Sequence, residues 1–358
     1  MTDPAPTKTI SDFEATLGQA DRKVASFERD DKTPMHILRN VLRSYPTTIP
    51  LLVLILSMLV FGMLSDRFLT SPTISLILQQ VTVTGIVAIA QTIIILTGGI
   101  DLSVGAILVL GTLVMGRLAV YSGVPAPLAI LIGMGVTTLM GLINGLLVAR
   151  IKLPPFIATL GTLSVFTAIK LWYSHSESVR GSDIEAKASF LLWLGNSFKM
   201  GNTSVMYGGI SLLLLAAVFW YILQHTAWGR HVHAVGDDPD AAMLSGIRTE
   251  RTLASVYAVA GLVCGFGAWV AIGRVGSVSP ISFDTVNLDS ITAVVIGGTS
   301  LFGGRGSIVG SVLGAMIVGV FNLGLSLAGV DDYWQMFAVG SLVIIAVALD
   351  QWLRRATK

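Results

Sequence analysis

The sequence predicts an all-α integral membrane fold, with about ten transmembrane helices and both termini cytoplasmic. Three observations predict it. Of 358 residues, 53% are hydrophobic and 12% are charged, with a mean hydropathy of +0.77. A soluble domain carries about 25% charged residues and could not cover its surface with so few. The apolar residues fall into runs near the roughly 20 residues that a helix needs to cross a ~30 Å hydrocarbon core. Lys and Arg gather in alternate loops, the pattern that sets membrane orientation.

Along the chain, residues 1–45 are polar, with seven basic and seven acidic side chains. No apolar stretch follows a short basic start, so this segment reads as a cytoplasmic tail and not as a signal peptide. The piece PMHILRNVLRSYP fits a surface amphipathic helix, with Arg39 and Arg43 toward lipid phosphates. The transmembrane domain occupies 46–353, and residues 354–358 form a second cytoplasmic tail. Candidate spans are 47–64, 76–97, 103–121, 126–149, 155–173, 208–225, 252–272, 286–302, 307–328 and 334–353. The second, third and eighth carry Gln, Thr, Asp and Gly, and are expected to be broken or only partly spanning.

With the N-terminus inside, the inside loops and tails hold 16 of the 23 basic residues. Residues 174–207 form the longest outside (periplasmic) loop, whose run FLLWLG is apolar enough to lie on the membrane or pack as a short helix. Residues 226–250 form the longest cytoplasmic loop. There Asp238-Pro239 is a helix start, an acidic N-cap followed by Pro at the first helical position. Gly246 is placed to end that helix after about two turns. A short helix of this kind is either an interfacial element or a docking element for a cytoplasmic partner.

Several function classes are excluded. The net charge of +2 gives no basic face for nucleic acid. Cys264 is the single cysteine, so the chain forms no internal disulfide and no Cys-based metal site. No phosphate loop of the form G-x-x-x-x-G-K-[ST] occurs, no His pattern fits a metal, and no cofactor is expected on this chain. No span carries an ordered series of Asp, Glu or Lys for proton coupling. The expectation is movement of a small polar solute, not catalysis.

The polar residues inside the spans are the candidates for its path. Asp101, in TGGIDLSVG, sits between two apolar spans, where a carboxylate is costly unless paired, hydrated or functional. It either caps the third span or serves the gate and solute path. Gln91, Asn144, Asn287 and Asp289 are the other path candidates. Neutral Gln, Asn and Thr side chains suit a polyol; interhelical hydrogen bonding is the competing reading for each. Weak internal similarity links residues 98–116 with 297–319: each has a double glycine, a polar turn and a glycine-bearing helix. Transporters often contain such duplicated halves.

Three segments resemble the permease subunits of bacterial ABC monosaccharide importers, the branch with ribose, xylose, galactose and fructose permeases. They are LTGGIDLSVGA (96–106), AVGDDPDAAMLSGI (234–247) and LDSITAVVIGGTSLFGGRGSIVGSVLGA (288–315). The resemblance spans about 46–353. It implies a type II ABC importer-like fold, a second permease copy across the pore, ATP-binding subunits that hold ATP-Mg, and a periplasmic sugar-binding protein, all in the bacterial inner membrane. It also implies that helix 239–245 is the coupling helix, with Gly236, Asp238, Ala241, Ala242, Gly246 and Ile247 as contact positions. The family carries Asn-Glu at Asp237-Asp238 and Glu-Leu at Asn287-Leu288; Asp289 is the nearest carboxylate left at the second place. Fructose and ribose permeases look nearest. A related amino-acid permease and an ion-coupled secondary carrier are the competing classes.

Overall fold

A computed structural model describes residues 47–331, 333–341, 344 and 348, all within the unit that begins at Pro46. The tail 1–45, the surface helix expected over 34–46 and the tail 354–358 lie outside the described residues.

The chain is a helical bundle. Helix α1 spans Thr48–Leu64, α2 Ser71–Ile95, α3 Val104–Val120, α4 Ala126–Ala149 and α5 Pro155–Ser174. Next come a short helix α6 (Gly181–Ala188), a 3-10 helix (Ser189–Gly195) and an antiparallel hairpin of β1 (Ser197–Met200) and β2 (Thr203–Met206). Then follow α7 (Tyr207–His225), α8 (Ala227–Asp237), α9 (Pro239–Leu244), α10 (Thr249–Val275), α11 (Val286–Ile296) and α12 (Ile308–Leu327). Residues 333–341 are helical; the remainder of the tenth expected span falls largely outside the described residues.

Among the described residues, six helices are long and apolar enough to cross a membrane: α2, α4, α5, α7, α10 and α12. Helices α1, α3 and α11 are shorter but apolar. Prolines at the first turns of α2, α4 and α5 need no backbone donor there and fix the entry φ. Polar content made the second span look weak, yet α2 is continuous and largely buried, with Thr82, Gln91 and Thr92 facing protein. Helix α3 is also continuous. The eighth span does fall short: α11 stops at Ile296, ahead of Gly297 and Gly298, and at 1.5 Å per residue it is about 16 Å long.

Helices α2, α3 and α10 form the core. Helices α5 and α7 keep most of their apolar side chains on the outside, where lipid is the solvent. Close approach of α4 to α10 depends on glycine. A Cβ on Gly141 would strike the Tyr257 carbonyl, and one on Gly261 would strike that of Thr137. The apolar run in the 174–207 loop is the 3-10 helix, anchored by buried Leu191 and Leu194.

Candidate transport site and coupling knuckle

The first break in the bundle, residues 96–103, is built around Asp101. Its Oδ1 accepts from the Ser103 backbone N–H and from Ser103 Oγ, both at 2.7 Å. Asn144 Nδ2 donates to Asp101 Oδ2 at 3.1 Å and to Ser103 Oγ at 2.8 Å. Gln91 Nε2 donates to the Asp101 carbonyl at 3.2 Å. Thr159 Oγ1 donates to the Ile100 carbonyl and accepts from Leu102 N–H. The carboxylate also sits at the N-terminal end of α3, where the helix dipole favours negative charge. Gln91, Asp101 and Asn144 are fully buried, so they join α2, α3, α4 and α5 and are shut off from solute in this conformation. Counting residues to the nearest helix ends places this knot about 6–8 Å from them along the helix axes.

The second break, residues 297–307, repeats the first in detail. Gly98 N–H bonds to Ile95 and Gly99 N–H to Ile94; Gly298 N–H bonds to Val295 and Thr299 N–H to Val294. Gly98 and Gly298 both take positive φ, +76° and +84°, the left-handed residue that ends a helix at low steric cost. The breaks also touch: Gly304 N–H donates to the Leu96 carbonyl at 3.0 Å.

Helix α8 docks on both. Thr226 caps it by accepting from Gly229 N–H. A Cβ on Gly236 would land on the Leu96 carbonyl and lie 2.7 Å from Gly304 N. His233 Nδ1 lies 3.2 Å from the Gly304 carbonyl. Helix α9 then projects from this base. Asp238 caps it, accepting from Asp240 N–H at 2.9 Å and Ala241 N–H at 3.0 Å. Gly246, at φ +86°, ends it. Of the six expected contact positions, Asp238, Ala241 and Gly246 are exposed and Ile247 is half-buried. Gly236 and Ala242 are buried, so their contacts are with this chain: Gly236 is the seat of the knuckle and not part of its outer surface.

Toward the opposite end, residues 276–289 descend between the helices. An isolated bridge pairs Val179 with Val278 at the start of this segment, and Asn287 Nδ2 donates to the Leu102 carbonyl at 3.2 Å near its finish. Two cavities flank it. One, of about 260 Å³, is lined by Gln80 and Thr84 of α2, Arg274 of α10, Phe283, Thr285, Asp289 and Asn322 of α12. The other, of about 310 Å³, is lined by Gly105, Thr167, Lys170, Asp284 and Asn287. Neutral amides and hydroxyls beside an aromatic ring are the chemistry that receives a polyol. Asn287 and Asp289 thus line cavities, unlike the other three path candidates. Arg274, Phe283, Asn322 and the Lys170–Asp284 pair were missed in the sequence. Lone charges in the apolar surroundings of Lys170 and Arg274 were the available signal.

A bundle of apolar helices, with cavities that carry polar side chains and an exposed knuckle at one end, defines a multi-pass membrane permease. The chain belongs to the family described as the permease component of the branched-chain amino acid transport system, whose model matches residues 73–347. It is 51% identical to the fructose import permease protein FrcC of Rhizobium meliloti over 345 residues, 96% of each chain. It is 38% identical to the ribose import permease protein RbsC of Bacillus subtilis over 302 residues, 84% of this chain and 92% of the relative. The galactose/methyl galactoside import permease MglC of Haemophilus influenzae is 34% identical, covering 79% of this chain and 87% of its own. No solved structure matches significantly.

Proposed function

We propose that this chain is the membrane-spanning permease subunit of an ATP-driven importer that moves a monosaccharide, fructose in the first instance, across the bacterial inner membrane. The observation that carries the mechanism is the knuckle: an exposed, doubly capped helix α9, seated through buried Gly236 on both breaks of the bundle. A helix presented in this way suits a groove in a separate ATP-binding subunit, which would hold ATP-Mg and hydrolyse it. That side is then cytoplasmic, in keeping with its basic loops, and the hairpin side faces a periplasmic sugar-binding protein. Two copies of the chain would enclose the path, and the polar walls around 280–289 would be presented to the sugar in turn. The 51% identity to a fructose import permease supports fructose over ribose.

The test is uptake of labelled fructose into proteoliposomes that contain the chain, its ATP-binding subunits and its binding protein. Uptake should require ATP and all three components. Unaided transport by the purified chain, down a gradient, would overturn this reading. One observation favours an amino acid: Arg274 and Asp289 line one cavity, an arrangement suited to a zwitterion. Competition of fructose uptake by branched-chain amino acids separates the two substrates.

A further inference from the structure

Lys170 lines one cavity, but the function above gives its charge no role. It lies in α5, one turn from the helix end, and its side chain is only 8% exposed. A cationic group inside an apolar span is costly without a partner. Its partner is Asp284, whose carboxylate Oδ1 lies 3.1 Å from Lys170 Nζ and whose side chain is 60% exposed. Asp284 belongs to no helix. It follows Phe283, a non-glycine residue at φ +59°, in a conformation that costs strain and persists only where neighbours hold it. The strained segment 279–285 therefore lines both cavities and is tied to α5 through this ion pair.

We propose that segment 279–285 is a gate on the solute path and that Lys170 is its positioning residue, latching the gate to α5 through Asp284. The proposal rests on the transport function argued above. The latch is suited to opening. Asp284 is already largely hydrated, so releasing it from Lys170 carries a small desolvation change on its side, and the strain at Phe283 relaxes in the open state. The buried Lys170 ammonium biases the segment back to the closed position.

The experiment uses the full chain assembled with its ATP-binding subunits and binding protein in proteoliposomes. Ala106 lines the second cavity and is buried beside the gate, and the single native cysteine, Cys264, is also buried. Ala106→Cys therefore reports gate opening through its rate of reaction with a membrane-impermeant maleimide. Lys170→Met and Asp284→Asn should each raise that rate about tenfold, the factor that corresponds to 1.4 kcal/mol. The exchanged pair Lys170→Asp with Asp284→Lys should return it toward the starting value. Asp284→Asn keeps the test alive if Lys170→Met fails to assemble. Equal labelling in the parent and both single variants, or no recovery in the exchanged pair, would overturn the latch. Loss of ATP-dependent uptake in the parent complex would instead count against the transport reading, and labelling would still read the gate.

Discussion

Replacing Gly236 with Ala tests how the knuckle is attached. The added methyl would land on the Leu96 carbonyl and 2.7 Å from Gly304 N. These are backbone atoms of two other segments, so no side chain can rotate away. Overpacking of this kind costs about 1–3 kcal/mol. The methyl also intrudes on the Gly304–Leu96 hydrogen bond, worth about 1 kcal/mol. Against this, Ala in place of Gly within α8 gains about 1 kcal/mol of helix propensity. The balance is about 1–3 kcal/mol against docking, enough to lift α8 and α9 from the breaks while leaving the core of α2, α3 and α10 intact. Three measurements apply: thermal melting of the purified chain, retention of the ATP-binding subunits in a pull-down, and fructose uptake. Melting should shift little, and uptake should fall at least several-fold. Wild-type uptake with Gly236→Ala would show that the seat carries no coupling.

Gly246→Trp acts on the other side of the knuckle. No neighbour lies within 4 Å of its Cβ position, but φ is +86°, so a side chain there carries about 1–2 kcal/mol of local strain at the exposed end of α9; insertion should survive, while the ring blocks docking and uptake is lost. Asp101→Ala removes the acceptor for Ser103 N–H, Ser103 Oγ and Asn144 Nδ2. Asn144 Nδ2 and Ser103 Oγ keep each other, so the buried Ser103 N–H is the group left unpaired; at about 1–3 kcal/mol for that group, the chain should melt lower in detergent, with Asp101→Asn intermediate. Asn322→Ala and Asp289→Asn remove groups from the smaller cavity. Each should lower fructose uptake without changing retention of the ATP-binding subunits; unchanged uptake in both would take that cavity off the path.

Long apolar helices were plain in the sequence because length and composition decide them. The run 126–149 coincides with α4. Helix α2 begins five residues earlier than its apolar run because Ser71-Pro72 opens the helix and does not turn the chain. Helix α8 was hidden inside what read as a loop, although Trp228, Val232 and Val235 recur at helical spacing and Thr226 precedes them as a cap. Asp101 does not cap α3 directly: its oxygens accept from Ser103, the residue that precedes the helix, and from Asn144 of a neighbouring helix, and no side chain caps the first turn. What the sequence could not offer was which polar residues face space. Gln80 and Gln91 lie in one helix, yet one lines a cavity and the other is sealed. That choice depends on which neighbours close over each face.

The two breaks explain why a push at one end can reach the other. They share one capping pattern, touch through Gly304 and Leu96, and are both gripped by α8. Displacement of α9 therefore loads both at once. From the second break, α11 runs as a rod about 16 Å long to Asn287, which grips the first break's Leu102 carbonyl. The loop of contacts closes through backbone, helix and the single Asn287 side-chain amide, so it should behave as one mechanical unit. A double-mutant cycle between Gly236→Ala and Asn287→Ala, read as ATP-dependent uptake, tests this directly. Neither residue touches the other, and distant independent sites add within about 0.3–0.5 kcal/mol. A coupling above that range is expected, because either change already slackens the same closed loop and the second then has less to lose. Strict additivity would mean that the knuckle and the cavity wall move independently, and that force from α9 travels by another route.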